Sequence, residues 1–306
     1  MSPGKLLYNI YYAPKARLVD FCKRFTSRYK KTAAGKQEME NAATGITEIY
    51  SVNNPVVTVN FLTGQKFWYQ SIFCLHSLQK VCPEIQINAV FYDDGSLDEK
   101  VRNRMTTQFP HSRVISAAVI EEQINALLPA AKYPCIRRLR TSYPHLKKLT
   151  DIHAGQKGWQ ITLDSDMLFF NYPAEIINWH HSPSKALVLQ ENKQSYGYSQ
   201  SFMEAITNRS VPQCINVGMT GIQSESIDWD KVEYWVERLT AKKNSYYLEQ
   251  AITAMLLSEW PVEKLPADTY IVLPNGEAVQ KRTGILHHYV ADSKFIYFSQ
   301  AWKQIL

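Results

Sequence analysis

From residue 55 onward the chain alternates short β-branched apolar runs with longer stretches whose apolar positions recur at helical spacing. Val56 to Leu62 (VVTVNFL) predicts a strand ending at Thr63-Gly64. Lys66 to Val81 places Phe67, Ile72, Leu75, Leu78 and Val81 close to one helical face. Ile85 to Tyr92 predicts a second strand, stopped by the turn sequence Asp93-Asp94-Gly95-Ser96. Leu97 to Gln108 reads as a short helix, and Val114-Ile115 as the start of a third strand. Cys135 to His153 predicts a helix interrupted near Pro144, whose ring cannot donate to the preceding turn. Trp159 to Leu163 is a further strand, running directly into Asp164-Ser165-Asp166. This alternation implies an α/β fold with a mainly parallel sheet flanked by helices. In open sheets of that kind ligands lie beyond the carboxyl ends of the strands. Thr63-Gly64, Asp93 to Ser96 and Asp164 to Asp166 are therefore expected along one edge.

Residues 1–54 follow a different pattern. Lys15 to Lys31 (KARLVDFCKRFTSRYKK) is basic and aromatic, and Thr32 to Thr47 is polar with Ala and Gly. An N-terminal helical extension and flexible linker, 1–54, is expected to precede a main domain, 55–306. Residues 15–31 are expected to pack on that domain and to contribute little to ligand binding. The alternative is a basic amphipathic segment, 15–31, lying on anionic lipid.

Composition adds only bounds. The 306 residues are 45% hydrophobic and 20% charged, as in ordinary globular proteins. No apolar run reaches the ~18 residues of a membrane span. The first residues lack a sustained apolar core and cleavage site, so no secretory signal is expected. Cys22, Cys74, Cys82, Cys135 and Cys214 are scattered singly, which argues against a disulfide framework or a zinc site and for reduced thiols in a cytoplasm. A net charge of +6 suits either an anionic small ligand or an acidic membrane surface.

The strongest chemical signal is Leu163-Asp164-Ser165-Asp166-Met167-Leu168-Phe169-Phe170. Two carboxylates spaced by two project to the same side of an extended segment. The apolar flanks bury that segment, and buried unpaired carboxylates are costly. A hard divalent cation, Mn²⁺ or Mg²⁺, resolves the cost and is commonly shared with phosphates.

This motif resembles the D-x-D of GT-A (Rossmann-like) glycosyltransferases, and the chain is most similar to the family 8 group that includes glycogenin and bacterial galactosyltransferases. Further segments carry the resemblance in order. Lys148-Leu149 stands where the family has a basic residue facing the donor. Ile215-Asn216-Val217-Gly218 resembles F-N-x-G, which contacts the donor sugar, and Leu248-Glu249-Gln250 resembles L-x-D-Q at the reacting centre. Leu286-His287-His288-Tyr289 with Lys294 resembles H-[FY]-x-G-x-x-K, and His288 rather than His287 keeps the spacing. The resemblance implies a metal site of Asp164, Asp166 and His288, with Lys294 on the diphosphate and Asn216 and Gly218 at the donor sugar. It also implies a retaining reaction at Glu249 and Gln250; if the reaction inverts, Glu249 becomes a candidate general base. The departures are Glu249 for Asp, Ala291 for Gly, and Phe295-Ile296 for Pro-Trp.

Asp93-Asp94-Gly95-Ser96 is similar to the D-D-G-S turn in which an Asp accepts from the nucleotide base. Asp93 is the candidate for that role, ahead of Asp94, although the same residues form ordinary turns. Thr63 and Gly64 offer backbone groups to the donor, and Tyr69 or Trp68 a ring for the base. Arg137, Arg140 and Lys148 belong to the densest basic patch. No nucleic-acid motif accompanies it, so a diphosphate is the expected partner of Arg140 and Lys148 rather than nucleic acid. The implied enzyme is a metal-dependent hexosyltransferase that uses a nucleotide-diphosphate sugar, expected to be UDP-linked, and an acceptor that is a glycan, lipid or protein. Its expected place is the cytoplasm, with peripheral membrane contact through 15–31 left open. A nucleotidyltransferase on a similar sheet and a non-catalytic sugar-nucleotide binder are the rival readings. The first wants a glycine-rich basic loop where Thr63-Gly64-Gln65-Lys66 stands.

Overall fold

The computed structural model describes residues 27–51 and 56–306. Its first element is a helix, α1 (Ser27–Ala43), whose buried side is only Gly35, Met39 and Ala43, spaced by four. Residues 32–43, expected as flexible linker, are therefore helical. The expectation for residues 15–26, including the lipid-facing alternative, lies outside the described residues.

The main sheet begins with β1 (Val56–Thr63), α2 (Trp68–Val81), β2 (Gln86–Asp93), α3 (Glu99–Gln108) and β3 (Arg113–Ile115). The three strands are parallel, with Thr63 level with Asp93. Alternation along β2 divides the interior. Ile87, Ala89 and Phe91 join a core under α1, α2 and α3, whereas Val90 and Tyr92 face a second core on the opposite side. That second core is lined by α4 (Ala117–Leu127), α5 (Pro134–Ser142) and α6 (Leu146–His153). The break between α5 and α6 falls at Pro144, as the missing donor of proline requires.

β4 (Trp159–Leu163) lies parallel to β1 in the middle of the sheet. The chain then passes through Asp164–Asp166 into β5 (Met167–Phe169), α7 (Ala174–His181), β6 (Ala186–Gln190), α8 (Gln200–Thr207) and β7 (Ile215–Gln223). β7 runs antiparallel to both β4 and β6. Next come α9 (Trp229–Lys242), α10 (Leu248–Leu257), β8 (Val262–Leu265), β9 (Tyr270–Val272), α11 (Gly276–Lys281), β10 (Leu286–His288) and α12 (Lys294–Ser299). The main sheet has the order β3-β2-β1-β4-β7-β6-β8, and a small sheet has the order β5-β10-β9. Four of the six neighbouring pairs of the main sheet are parallel, so the expected mainly parallel α/β sheet is present, reversed locally at β7.

Candidate active site

Asp164-Ser165-Asp166 is the point where the chain leaves the main sheet and enters the small one. Two backbone contacts fix it there. The Asp164 N–H donates to the Gly218 carbonyl at 2.6 Å, and the Tyr289 N–H donates to the Asp166 carbonyl at 2.9 Å. β10 pairs antiparallel with β5 so that His288 faces Met167, next to Asp166. On β7, the pairing with β6 jumps from Asn216 to Thr220 between neighbouring partners Leu189 and Val188. The intervening bulge brings Asn216 and Gly218 to the same place, a use to which bulges beside sites are commonly put.

Asp164, Asp166 and His288 each offer a ligand atom, all within 4.8 Å of one another. The His288 Nε2 lies 3.6 Å from an Asp164 oxygen and 3.4 Å from an Asp166 oxygen. These separations are long for hydrogen bonds and suit ligands sharing one cation, whose bonds are about 2.1 Å each. The imidazole orientation supports the same arrangement. Asn216 gives its Nδ2 protons to Glu191, so its Oδ1 faces His288 Nδ1 at 3.0 Å and also accepts from the Gly218 N–H. That oxygen places the imidazole proton on Nδ1 and leaves the buried Nε2 lone pair, which has no hydrogen-bond partner, aimed between two carboxylates. Such a donor set fits a hard or borderline divalent cation. Gly218 serves this packing: a Cβ there would stand 2.3 Å from His288 Cε1.

Two lysines neutralise the carboxylates. Lys294 pairs with Asp166, and Lys148 donates to Asp164 at 2.8 Å and to the Val217 carbonyl at 2.9 Å. Burial opposes ionisation of Asp166, but the Lys294 ammonium outweighs it and holds the carboxyl well below its ordinary range. Burial likewise opposes the Lys148 charge, yet Asp164 and Glu249 raise its pKa above the ordinary lysine value. Glu249 lies 3.4 Å from Lys148 near the start of α10. Burial pushes its carboxyl up to about 7, with Lys148 opposing and Asp164 assisting the rise. Gln250, beside it, donates to the Ile215 carbonyl at 2.9 Å.

The remaining predicted residues are placed unevenly. Thr63 and Asp93 end adjacent parallel strands, and a Cβ on Gly64 would stand 2.2 Å from the Asp94 carboxylate. Asp93 spends one oxygen on the Gly95 and Leu97 N–H groups, closing its own turn. Tyr69 is buried against Trp68 near Glu40 of α1; burial first, then Glu40, raises its phenol to about 12. Arg140 is elsewhere. Its guanidinium is held by Asp151 at 2.6 and 3.0 Å and by Glu121 at 2.6 Å, an internal ion-pair cluster that leaves it no free fork for a phosphate. Asn216, expected on the donor sugar, has its amide committed to Glu191 and His288.

Two groups escaped the sequence. Glu191, at the end of β6, is what orients Asn216. A chain of rings, Tyr143–His145–Tyr246–Tyr247, has centroids 5.1, 5.4 and 5.4 Å apart. Tyr246 is 71% and Tyr247 44% exposed. The Tyr143 hydroxyl reaches the Glu249 N–H at 3.4 Å, so this ledge adjoins Glu249. The signal for it was two adjacent tyrosines immediately before Leu248-Glu249-Gln250.

No family model matches the sequence, and no curated protein matches it either. Solved structures do resemble it in fold. Mouse xyloside xylosyltransferase 1 superposes over 78% of this chain and 99% of its own, with a TM-score of 0.54 and 11% identity. The galactosyltransferase LgtC, solved with donor and acceptor sugar analogues, superposes over 82% and 100%, with a TM-score of 0.52 and 13% identity. The bifunctional glycosyltransferase WbbM matches 85% of this chain and 53% of its own, with a TM-score of 0.50 and 11% identity. The fold is that of GT-A glycosyltransferases.

Proposed function

We propose that the protein is a metal-dependent glycosyltransferase that moves a hexose from a nucleoside-diphosphate donor, a UDP-sugar, to an acceptor bound against the tyrosine ledge. The observation that carries this is the bare, buried His288 Nε2 lone pair aimed between Asp164 and Asp166, with Lys148 and Lys294 on the two carboxylates. Mn²⁺ or Mg²⁺ held by Asp164, Asp166 and His288 would supply Lewis-acid stabilisation of diphosphate charge. The fold shared with LgtC supports a donor and an acceptor meeting at the carboxyl ends of the strands.

In this reading Lys294 leaves Asp166 for a phosphate oxygen, where a fixed ammonium stabilises the departing diphosphate more than the bound donor. Lys148 keeps Asp164 oriented. Thr63, Gly64 and Asp93 form the nucleoside end, and Gln250 with Glu249 flanks the reacting carbon. Exposed ring faces beside Glu249 suit the apolar face of a sugar acceptor. Retention follows the family resemblance. One observation favours the second reading, inversion: a Glu249 pKa of about 7 is what a general base requires near neutral pH.

The test is release of UDP from a panel of UDP-sugars with and without Mn²⁺, in the protein and in Asp166→Asn. Metal-dependent release that the variant lacks is expected. Release indifferent to both metal and Asp166 would exclude the assignment. The anomer first released on donor hydrolysis, read by NMR, separates retention from inversion.

A further inference from the structure

α1 lies along α12, the helix that begins with Lys294. Gly35 makes the approach possible, because a Cβ there would fall 2.0 Å from the Phe298 carbonyl oxygen. Arg28 ties the other end of α1 to the Asp292 carbonyl at 3.0 Å, two residues before Lys294. With the helix fixed in this way, Lys36 places its ammonium 4.9 Å from the centroid of the Phe298 ring. Phe298 stands one helical turn after Lys294, and helical side chains lean toward the N-terminus, here toward Lys294. Burial and then the charge of Lys294 lower the pKa of Lys36 from its ordinary value, so the two ammonium groups lie in each other's field.

Their partners are unequal. Lys294 has Asp166. Among the described residues, the ion pairs that α1 makes are Arg28–Asp292 and Glu38–Lys303, and neither involves Lys36. Like charges held together without a shared carboxylate disfavour each other until an anion enters between them. One turn further along α1, Glu40 reaches the Trp68 indole N–H at 3.4 Å, at the start of α2. The Lys36–Glu40 side of α1 thus spans from Lys294 to the helix that follows the β1 loop.

We infer that Lys36 is a second cation of the diphosphate subsite, so that α1 forms part of the donor site instead of merely covering the domain. This rests on the donor reading above. The ligand class is a nucleoside diphosphate, whose two phosphates can engage Lys294 and Lys36 together while the metal ligands hold the opposite side. The assignment also changes what the segment before β1 does: it contributes a charge as well as packing.

The test is calorimetric titration of the full chain with UDP and with UMP in the presence of Mn²⁺, for Lys36→Ala, Lys36→Arg and, as reference, Lys294→Ala. Lys36 is exposed over much of its surface and only partly covered where it meets the Phe298 ring, so its replacement is expected to change thermal unfolding little. Lys36→Ala should weaken UDP about three- to tenfold, a step of the size expected for one charge-assisted contact. UMP should weaken less, and Lys36→Arg should retain most of the affinity. UDP binding within twofold of wild type in Lys36→Ala, with clear weakening in Lys294→Ala, overturns the role of Lys36 and leaves the donor site standing. Equal weakening of UDP and UMP would mean that Lys36 only props α12, and would overturn the inference too. If neither variant alters UDP binding, the donor reading itself fails and takes this inference with it.

Discussion

At the scale of single residues, each carboxylate of the site divides its two oxygens between a lysine and the His288 side. Lys148 takes Asp164 Oδ1 and Lys294 takes Asp166 Oδ2, while Asp164 Oδ2 and Asp166 Oδ1 face His288 Nε2 and stay available to a divalent cation. Lys294→Ala is therefore expected to separate two properties. Turnover should fall on the order of 100-fold, as for removal of one preorganised donor, whereas Mn²⁺ binding without nucleotide should hold or tighten. His288→Ala should instead weaken Mn²⁺ itself. Equal loss of metal binding in both variants would contradict the division of labour, and wild-type turnover in Lys294→Ala would remove the leaving-group role. Glu249 permits a test that needs no substrate. Its folded pKa, about 7, lies above the ordinary carboxyl value of 4.5. Between those values the folded state holds a proton the unfolded state has lost, so rising pH costs stability across that window and no further above it. Glu249→Gln removes this cost. The stability of the variant relative to wild type should rise between about pH 5 and pH 8, by roughly 2 kcal/mol. A difference independent of pH in urea unfolding would mean that Glu249 ionises normally.

The element scale shows where local pattern stops carrying information. α1 and α12 meet through Gly35, and the sign of a small substitution there tests the contact. In an exposed helix, Gly→Ala stabilises by about 1 kcal/mol. Here the added Cβ would meet the Phe298 carbonyl, so Gly35→Ala should destabilise by about 1–3 kcal/mol, as overpacking does. Stabilisation on urea unfolding would show that the helices are looser than described. The same contact explains why residues 32–43 of α1 read as linker: a buried strip of Gly, Met and Ala carries almost no hydrophobic periodicity. The strands and helices from Val56 to Gln108, and β4, were legible because their apolar runs are bounded by Gly, Asp or Pro, whereas α4 (Ala117–Leu127) drew no expectation. The direction of β7 was not legible, since side-chain alternation is the same for parallel and antiparallel neighbours. Arg140 misled for a related reason. Its partners Glu121 and Asp151 lie on α4 and α6, and only the tertiary packing of α5 between them satisfies its charge. By contrast Asp164 and Asp166 stood out because polar residues that apolar strands bury must be brought a partner, whereas His288 and Lys294 were legible only through the resemblance of their spacing to the family segment. What the sequence left out was the hydrogen-bonded chain from Glu191 through Asn216, which depends on the bulge in β7.

For the whole molecule, the candidate metal ligands join two sheets that otherwise meet at few backbone points. Asp164 closes the end of β4 in the main sheet, whereas Asp166 leads into β5 at the edge of the small sheet and His288 ends β10, its central strand. The junction relies on the Asp164 N–H to Gly218 bond on one side and the Tyr289 N–H to Asp166 bond on the other. An ion shared by the three side chains would couple the sheets, because separating them would then require breaking metal–ligand bonds. Binding to the native state alone stabilises it by about 2.7 kcal/mol at a hundredfold excess over Kd. The distribution of that stabilisation is the informative quantity. Local openings set amide exchange, so a ligand confined to one loop would slow exchange only there. With Mn²⁺ and UDP, the Asp164 and Tyr289 amides and their neighbours in β5 and β10 are expected to slow together, by at least tenfold. The helix ends remote from the site, such as the last turn of α9, should not change. In Asp166→Asn the joint protection should be lost even if UDP still slows the β1 loop. Protection by Mn²⁺ and UDP limited to residues 63–64 and 93–96 would place the nucleotide at the strand ends without a metal bridge between the sheets.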